Sequence, residues 1–102
     1  MDHSFFSRIT AAPGILFRLV DQEAVLLNLN TELYIGLDII GTRMWNALME
    51  APSIQAAYEA LLQEYDVEPA QLREDIEAFV GKLVEQGLVQ VGPAEFATSA
   101  GK

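Results

Sequence analysis

No cysteine occurs in this sequence, and histidine occurs only once. The first absence excludes disulfides, thiolate nucleophiles and thiolate metal sites, and it fits a reducing cytoplasm, the expected location. The second leaves His3 as the sole imidazole, without the further ligands that a zinc site requires. Basic residues are also scarce: 6 Lys and Arg stand against 15 Asp and Glu, for a formal net charge of −9. Such a molecule repels a phosphate backbone and an anionic bilayer, so neither nucleic acid nor membrane is an expected partner. No apolar run is long enough to span a bilayer. The opening "MDHSFFSRITAAPGILF" carries an acid at position 2 in place of a basic head, and no signal peptide is expected.

What is present is globular in composition, 51% apolar and 21% charged. At 102 residues the chain is expected to form one domain with a single core. Residues 1–14 are mixed in character and end in Ala-Pro-Gly, which reads as a flexible segment leading into the fold. A two-residue period then appears in Ile15 to Val20 and Ala24 to Leu29, separated by the polar turn Asp21-Gln22-Glu23. A third strand, Glu32 to Gly36, follows Asn30-Thr31. The two short connections predict a three-stranded antiparallel meander.

After Gly36 the period becomes helical. Leu37, Ile40, Gly41, Met44, Trp45 and Leu48 recur at three- and four-residue intervals, with Asp38 placed as the cap. Ser53 caps a second helix with Ile54, Ala57, Tyr58, Leu61, Leu62 and Tyr65 on one face. Pro69 suits the first turn of a third, in which Leu72, Ile76, Phe79, Val80, Leu83 and Val84 form the stripe and Gly87 the stop. Leu88 to Val91 reads as a final strand or an extended segment, and residues 92–102 as a flexible tail. The predicted fold is α+β and winged helix-turn-helix-like, a three-stranded antiparallel sheet followed by three helices. Burying Trp45 or Phe79 should contribute about 2–3 kcal/mol each, so both are structural residues first.

No catalytic constellation emerges. Glu74, Asp75 and Glu77 read as the solvated face of the third helix. Ser4, Ser7, Ser53 and Ser99 have no base placed by the sequence, and no glycine pattern resembles a phosphate cradle. The expectation is a protein without enzymatic activity, cofactor or metal. A winged-helix DNA-binding regulator is the alternative from another class. A recognition helix needs Arg, Lys, Asn or Gln outward, however, and the third helix sets Arg73, Lys82 and Gln86 against Glu74, Asp75, Glu77 and Glu85.

The third strand is different. Natural sheet edges are protected by charge, proline or bulges, and here Leu33, Tyr34 and Ile35 have only Glu32 as a charged neighbour. An open apolar edge beside an apolar helix can take an extended peptide by strand addition. The competing readings are a central strand, an edge covered by the tail, or a homodimer through the same edge.

"AVLLNLNTELYIGLDIIGTRMWNAL" followed by "SIQAAYEALLQEYDVEPAQLREDIEAFVGKLVEQGLV" resembles the PqqD-like proteins, the coenzyme-PQQ synthesis protein D group and its relatives in ribosomal-peptide gene clusters. The resemblance covers residues 15–91 and rests on Leu37-Asp38, Met44-Trp45, Tyr65-Asp66-Val67-Glu68-Pro69 and Phe79. One departure is the turn before the third strand, where the family often has a glycine and this chain has Thr31-Glu32-Leu33. The resemblance implies a precursor-peptide recognition element. Such a protein binds the leader of a ribosomally made peptide and delivers it to a modifying enzyme or a leader peptidase. It also implies backbone pairing at Glu32, Leu33, Tyr34 and Ile35, and a facing wall of Asp75, Ile76, Phe79, Lys82 and Leu83. The residues alone leave open whether Ile76 and Leu83 face a cleft or the core. Two pathways remain, lasso-peptide biosynthesis and a PQQ-biosynthesis peptide chaperone; fold-level analogy with discrete relatives favours the first.

Overall fold

The computed structural model describes residues 5–93, so His3 and the tail from residue 94 lie outside the described residues. The order is β1 (Ser7–Ala11), β2 (Ile15–Val20), β3 (Glu23–Asn28), β4 (Leu33–Leu37), α1 (Ile39–Glu50), α2 (Ile54–Glu64), α3 (Pro69–Glu85) and β5 (Val89–Pro93). The expected α+β architecture is present: β2, β3 and β4 form the antiparallel meander, and three helices follow it.

Two differences from the sequence reading concern the ends of the domain. The segment expected to be loose up to residue 14 contains β1, and Gly92 and Pro93, assigned to the tail, belong to β5. These strands pair antiparallel as a second sheet, with Ile9 opposite Val91. Burial explains the ordering: Ile9 and Phe5 belong to the core, and the Phe5 carbonyl accepts the Gln55 amide at 2.6 Å. The Phe5 ring meets Tyr58 edge-on at 5.9 Å and lies under the Arg73 guanidinium at 3.9 Å. A stretch too short and mixed to show a period is thus fixed by long-range contacts.

The helices begin where the capping residues place them. Asp38 accepts the Gly41 amide at 2.7 Å, and Ser53 accepts the Ala56 amide at 3.1 Å. Pro69 opens α3, and Gly87 reverses the chain at φ +72°, in the left-handed region that glycine enters without strain. The buried face of α1 is Thr42, Met44, Trp45, Ala47 and Leu48, whereas Ile40, expected on that face, is exposed. On α3 the buried residues are Leu72, Ile76, Val80 and Leu83.

The meander packs one face on the helices, and that face belongs to Ala24, Leu26 and Asn28 of β3. The register sets Leu16, Leu27 and Tyr34 in one row on the opposite face, and Phe17, Leu26 and Ile35 in one row on the core side. Phe17 stacks on Trp45 at 6.5 Å with the rings 8° apart, which holds β2 to α1.

Candidate functional site

Strand order β2-β3-β4 makes β4 an edge, and among the described residues nothing pairs with its outer side. In an antiparallel ladder every second residue turns its amide and carbonyl away from the neighbouring strand, so β4 presents a row of free donors and acceptors. The strand is Leu33-Tyr34-Ile35-Gly36-Leu37, without charge or proline, and its pairing with β3 runs from Leu33 opposite Asn28 to Leu37 opposite Ala24 without a bulge. None of the usual edge protections is built in. Leu33 and Tyr34 are 64% and 76% exposed.

A hollow of about 60 Å³ adjoins this edge, lined by Asn28, Thr31, Leu33, Tyr34, Ile35, Gln86 and Leu88. The turn from β3 to β4 shapes one side of it. Asn28 is buried, and its side-chain oxygen accepts the amides of Asn30 at 2.9 Å and Thr31 at 3.3 Å; the Thr31 hydroxyl accepts the Leu33 amide at 3.3 Å. The other side is the end of α3 and the residue after Gly87, where the Leu88 amide donates to the Leu83 carbonyl at 2.9 Å.

The residues expected at the site divide into several groups. Leu33, Tyr34 and Ile35 lie on the edge strand and line the hollow. Glu32 lies before the strand: it adopts φ +62°, and its amide is already spent on the Asn28 carbonyl at 2.7 Å. Ile76 and Leu83 are 1% and 0% exposed and pack in the core. Phe79 is half-buried against that core, and Lys82 is exposed on the last turns of α3. Asp75 borders a different cavity of about 100 Å³, between α1, α2 and the start of α3, with Ile40, Met44, Leu61, Tyr65, Val67, Gln71 and Leu72. Its carboxylate accepts the Gln71 side-chain amide at 2.9 Å.

The helical wall of the hollow is therefore Gln86 and Leu88, which the sequence reading did not assign. Gly87 was the available signal, because a left-handed stop folds the following residue back against the last turn. Asn28 carried a signal too: an Asn closing an apolar strand just before a turn organises the turn amides.

Charge plays little part at this edge. Glu64, whose carboxyl the Arg43 guanidinium holds below the usual carboxylate range, belongs to a two-bond pair between α1 and α2 at 3.0 and 2.7 Å. Among the described residues no group of three or more His, Cys, Asp and Glu is placed to hold a metal ion, and no helix is long and apolar enough to cross a membrane. An apolar strand with unspent backbone groups beside a small hollow is equipped to hold an extended chain.

The model of the family described as coenzyme PQQ synthesis protein D (PqqD) matches residues 23–89. The chain belongs to the PqqD family. Among curated proteins none matches. Two solved structures are similar to it. TbiB1 in complex with the TbiA(beta) leader peptide is 30% identical with a TM-score of 0.73, over 79% of this chain and 94% of that one. Lasso peptide synthetase B1 complexed with the leader peptide is 26% identical with a TM-score of 0.72, over 81% and 98%. The PqqD match spans the turn between β3 and β4. Glu32 takes the left-handed conformation that glycine favours, and the hairpin forms with a side chain there.

Proposed function

We propose that this chain is a non-catalytic adaptor that binds the leader of a ribosomally synthesised precursor peptide. The leader adds as a strand to β4, and the adaptor delivers it to a leader peptidase or another modifying enzyme of lasso-type biosynthesis. The observation that carries this reading is the unprotected β4 edge with a hollow beside it. The similarity to two proteins that hold leader peptides supports it from outside the chain.

In this reading the outward amides and carbonyls of Leu33–Leu37 pair with the guest backbone. Each such bond is worth only about 0.5–1.5 kcal/mol net, so the ladder supplies orientation and a modest part of the affinity. Selectivity comes from side chains that enter the hollow against Leu33, Ile35, Gln86 and Leu88. Lys82, exposed on the last turns of α3, is the cation this reading offers to a leader carboxylate, and an exposed pair of that kind contributes little. The formal charge of −9 weighs against the DNA-binding alternative. The family description names PQQ synthesis, whereas both similar structures name leader complexes, one of them a lasso synthetase; the lasso-type reading follows the latter.

Titrating the purified chain with the labelled leader of the co-encoded precursor tests the proposal. Saturable binding is expected. Proline at Tyr34 or at Ile35 should then separate two effects, because only one of these neighbouring amides points away from β3. That variant keeps its fold and loses the leader. Undiminished binding by both proline variants would contradict the strand-addition mode, and no binding by the parent chain would contradict the adaptor role.

A further inference from the structure

The face of the meander turned away from the helices carries an apolar row. The register lines up Leu16, Leu27 and Tyr34 across all three strands, and Leu16 and Tyr34 are exposed. On β3 this outer face carries Val25 and Leu27, both half-buried, while the core side carries Ala24, Leu26 and Asn28. A solvated sheet face ordinarily alternates to polar residues. Here the outer side carries Leu16, Val20, Val25, Leu27 and Tyr34, with Arg18 and Glu23 as its charged residues.

Beside the row lies an open hollow of about 930 Å³, lined by residues of the β2–β3 turn and the β4–α1 joint. Its apolar lining includes Val20, Val25 and Ile39, and Gly36 leaves it room, since a Cβ at that position would meet nothing within 4 Å. Its charged lining is Asp21, Glu23 and Asp38, and Arg18 stands opposite Val25 on the same face, between the row and the hollow. Asp38 is partly engaged as the cap of α1; Asp21 and Glu23 are exposed at the rim.

We infer that this outer sheet face is a second docking surface, for a protein that sets apolar side chains on the Leu16–Leu27–Tyr34 row and an adjacent Lys or Arg in the acid-rimmed hollow. The inference rests on the adaptor reading, in which the occupant is the enzyme that processes the bound leader. Charge decides between this occupant and a second copy of the chain. Two copies would bring like charges of −9 together, whereas a cationic segment is attracted by the net charge and by the three carboxylates of the rim, which outnumber the neighbouring Arg18. The geometry also allows both partners at once. The leader lies along the β4 edge, and the second protein covers the face next to it, meeting the guest strand at Tyr34.

The test uses the full chain and the purified leader peptidase encoded alongside it, with Kd measured at low and moderate salt. Leu16→Glu breaks the apolar row, while Val20→Lys and Glu23→Lys put a cation into the hollow; none of these residues belongs to the leader edge. Each variant, confirmed as folded by circular dichroism, should weaken peptidase association about tenfold or more and leave leader affinity within about twofold. Parent association should also weaken as salt rises. Equal peptidase affinity for parent and variants would overturn the inference while leaving leader binding intact. A parent dimer in sedimentation that Leu16→Glu dissociates would overturn it as well, because the face would then belong to a second copy. If the parent fails to bind leader, the adaptor reading fails separately, and the leader-free peptidase measurement still decides the docking surface.

Discussion

The Thr42 hydroxyl accepts the Ala24 amide at 3.0 Å and, as donor, reaches the Leu37 carbonyl at 3.4 Å. One buried side chain on α1 thus ties the start of β3 to the end of β4 and sets the helix against the sheet whose edge is the site. Thr42→Val keeps the shape and leaves a buried amide without its partner, which costs about 1–3 kcal/mol. Urea unfolding should record that loss as a lower midpoint with an unchanged slope.

Asn28 plays the corresponding part at the other end of β4. Its side chain holds two turn amides and borders the hollow. Asn28→Ala should cost about 1–3 kcal/mol in stability and weaken leader binding as well, because the turn that presents Leu33 loosens. Retained leader affinity in this variant would separate the turn from recognition.

Glu32 is the opposite case. A side chain in the left-handed region costs about 1–2 kcal/mol, partly offset by the greater chain entropy that a glycine loses on folding. Glu32→Gly should therefore raise stability by about 1 kcal/mol. Since the Glu32 amide is already bonded to Asn28, leader affinity should stay unchanged.

The Arg43–Glu64 pair sets a pH dependence whose sign is fixed. The carboxyl of Glu64 is held below its usual range by the hydrogen bonds from Arg43, so the native state favours its ionised form. That contribution is present above the ordinary carboxylate range and disappears as the pH falls through the lowered native value. Both groups are well exposed, and the effect is small. Arg43→Met should lower the thermal midpoint slightly at neutral pH, and the difference should close on acidification.

What the sequence made legible follows from locality. Asp38 and Ser53 mark helix starts through bonds to an amide three places on, Pro69 through a ring that needs no amide partner in the first turn, and Gly87 marks a helix end through a left-handed turn; the stripes of α2 and α3 are long enough for a period to emerge. The unprotected run Leu33, Tyr34 and Ile35 was legible directly from the chain, but a central strand looks the same, and only the order β2-β3-β4 makes it an edge. The pairing of β1 with β5 was not legible, since Ile9 meets Val91 across nearly the whole sequence. Ile76, Leu83 and Asp75 show the remaining limit. Their spacing puts them on or beside one stripe, but only packing decides that the first two are core and the third borders another cavity. The inner face of β3 holds the polar Asn28 because the turn amides need its oxygen.

Hydrogen exchange on β4, with and without the co-encoded leader peptide, tests the central claim most directly. Among the amides of Leu33–Leu37, those bonded to β3 should exchange slowly in both states, and those pointing outward should exchange quickly when free and slow markedly once the leader is bound. Saturable leader binding that left the outward amides in fast exchange would contradict strand addition at this edge.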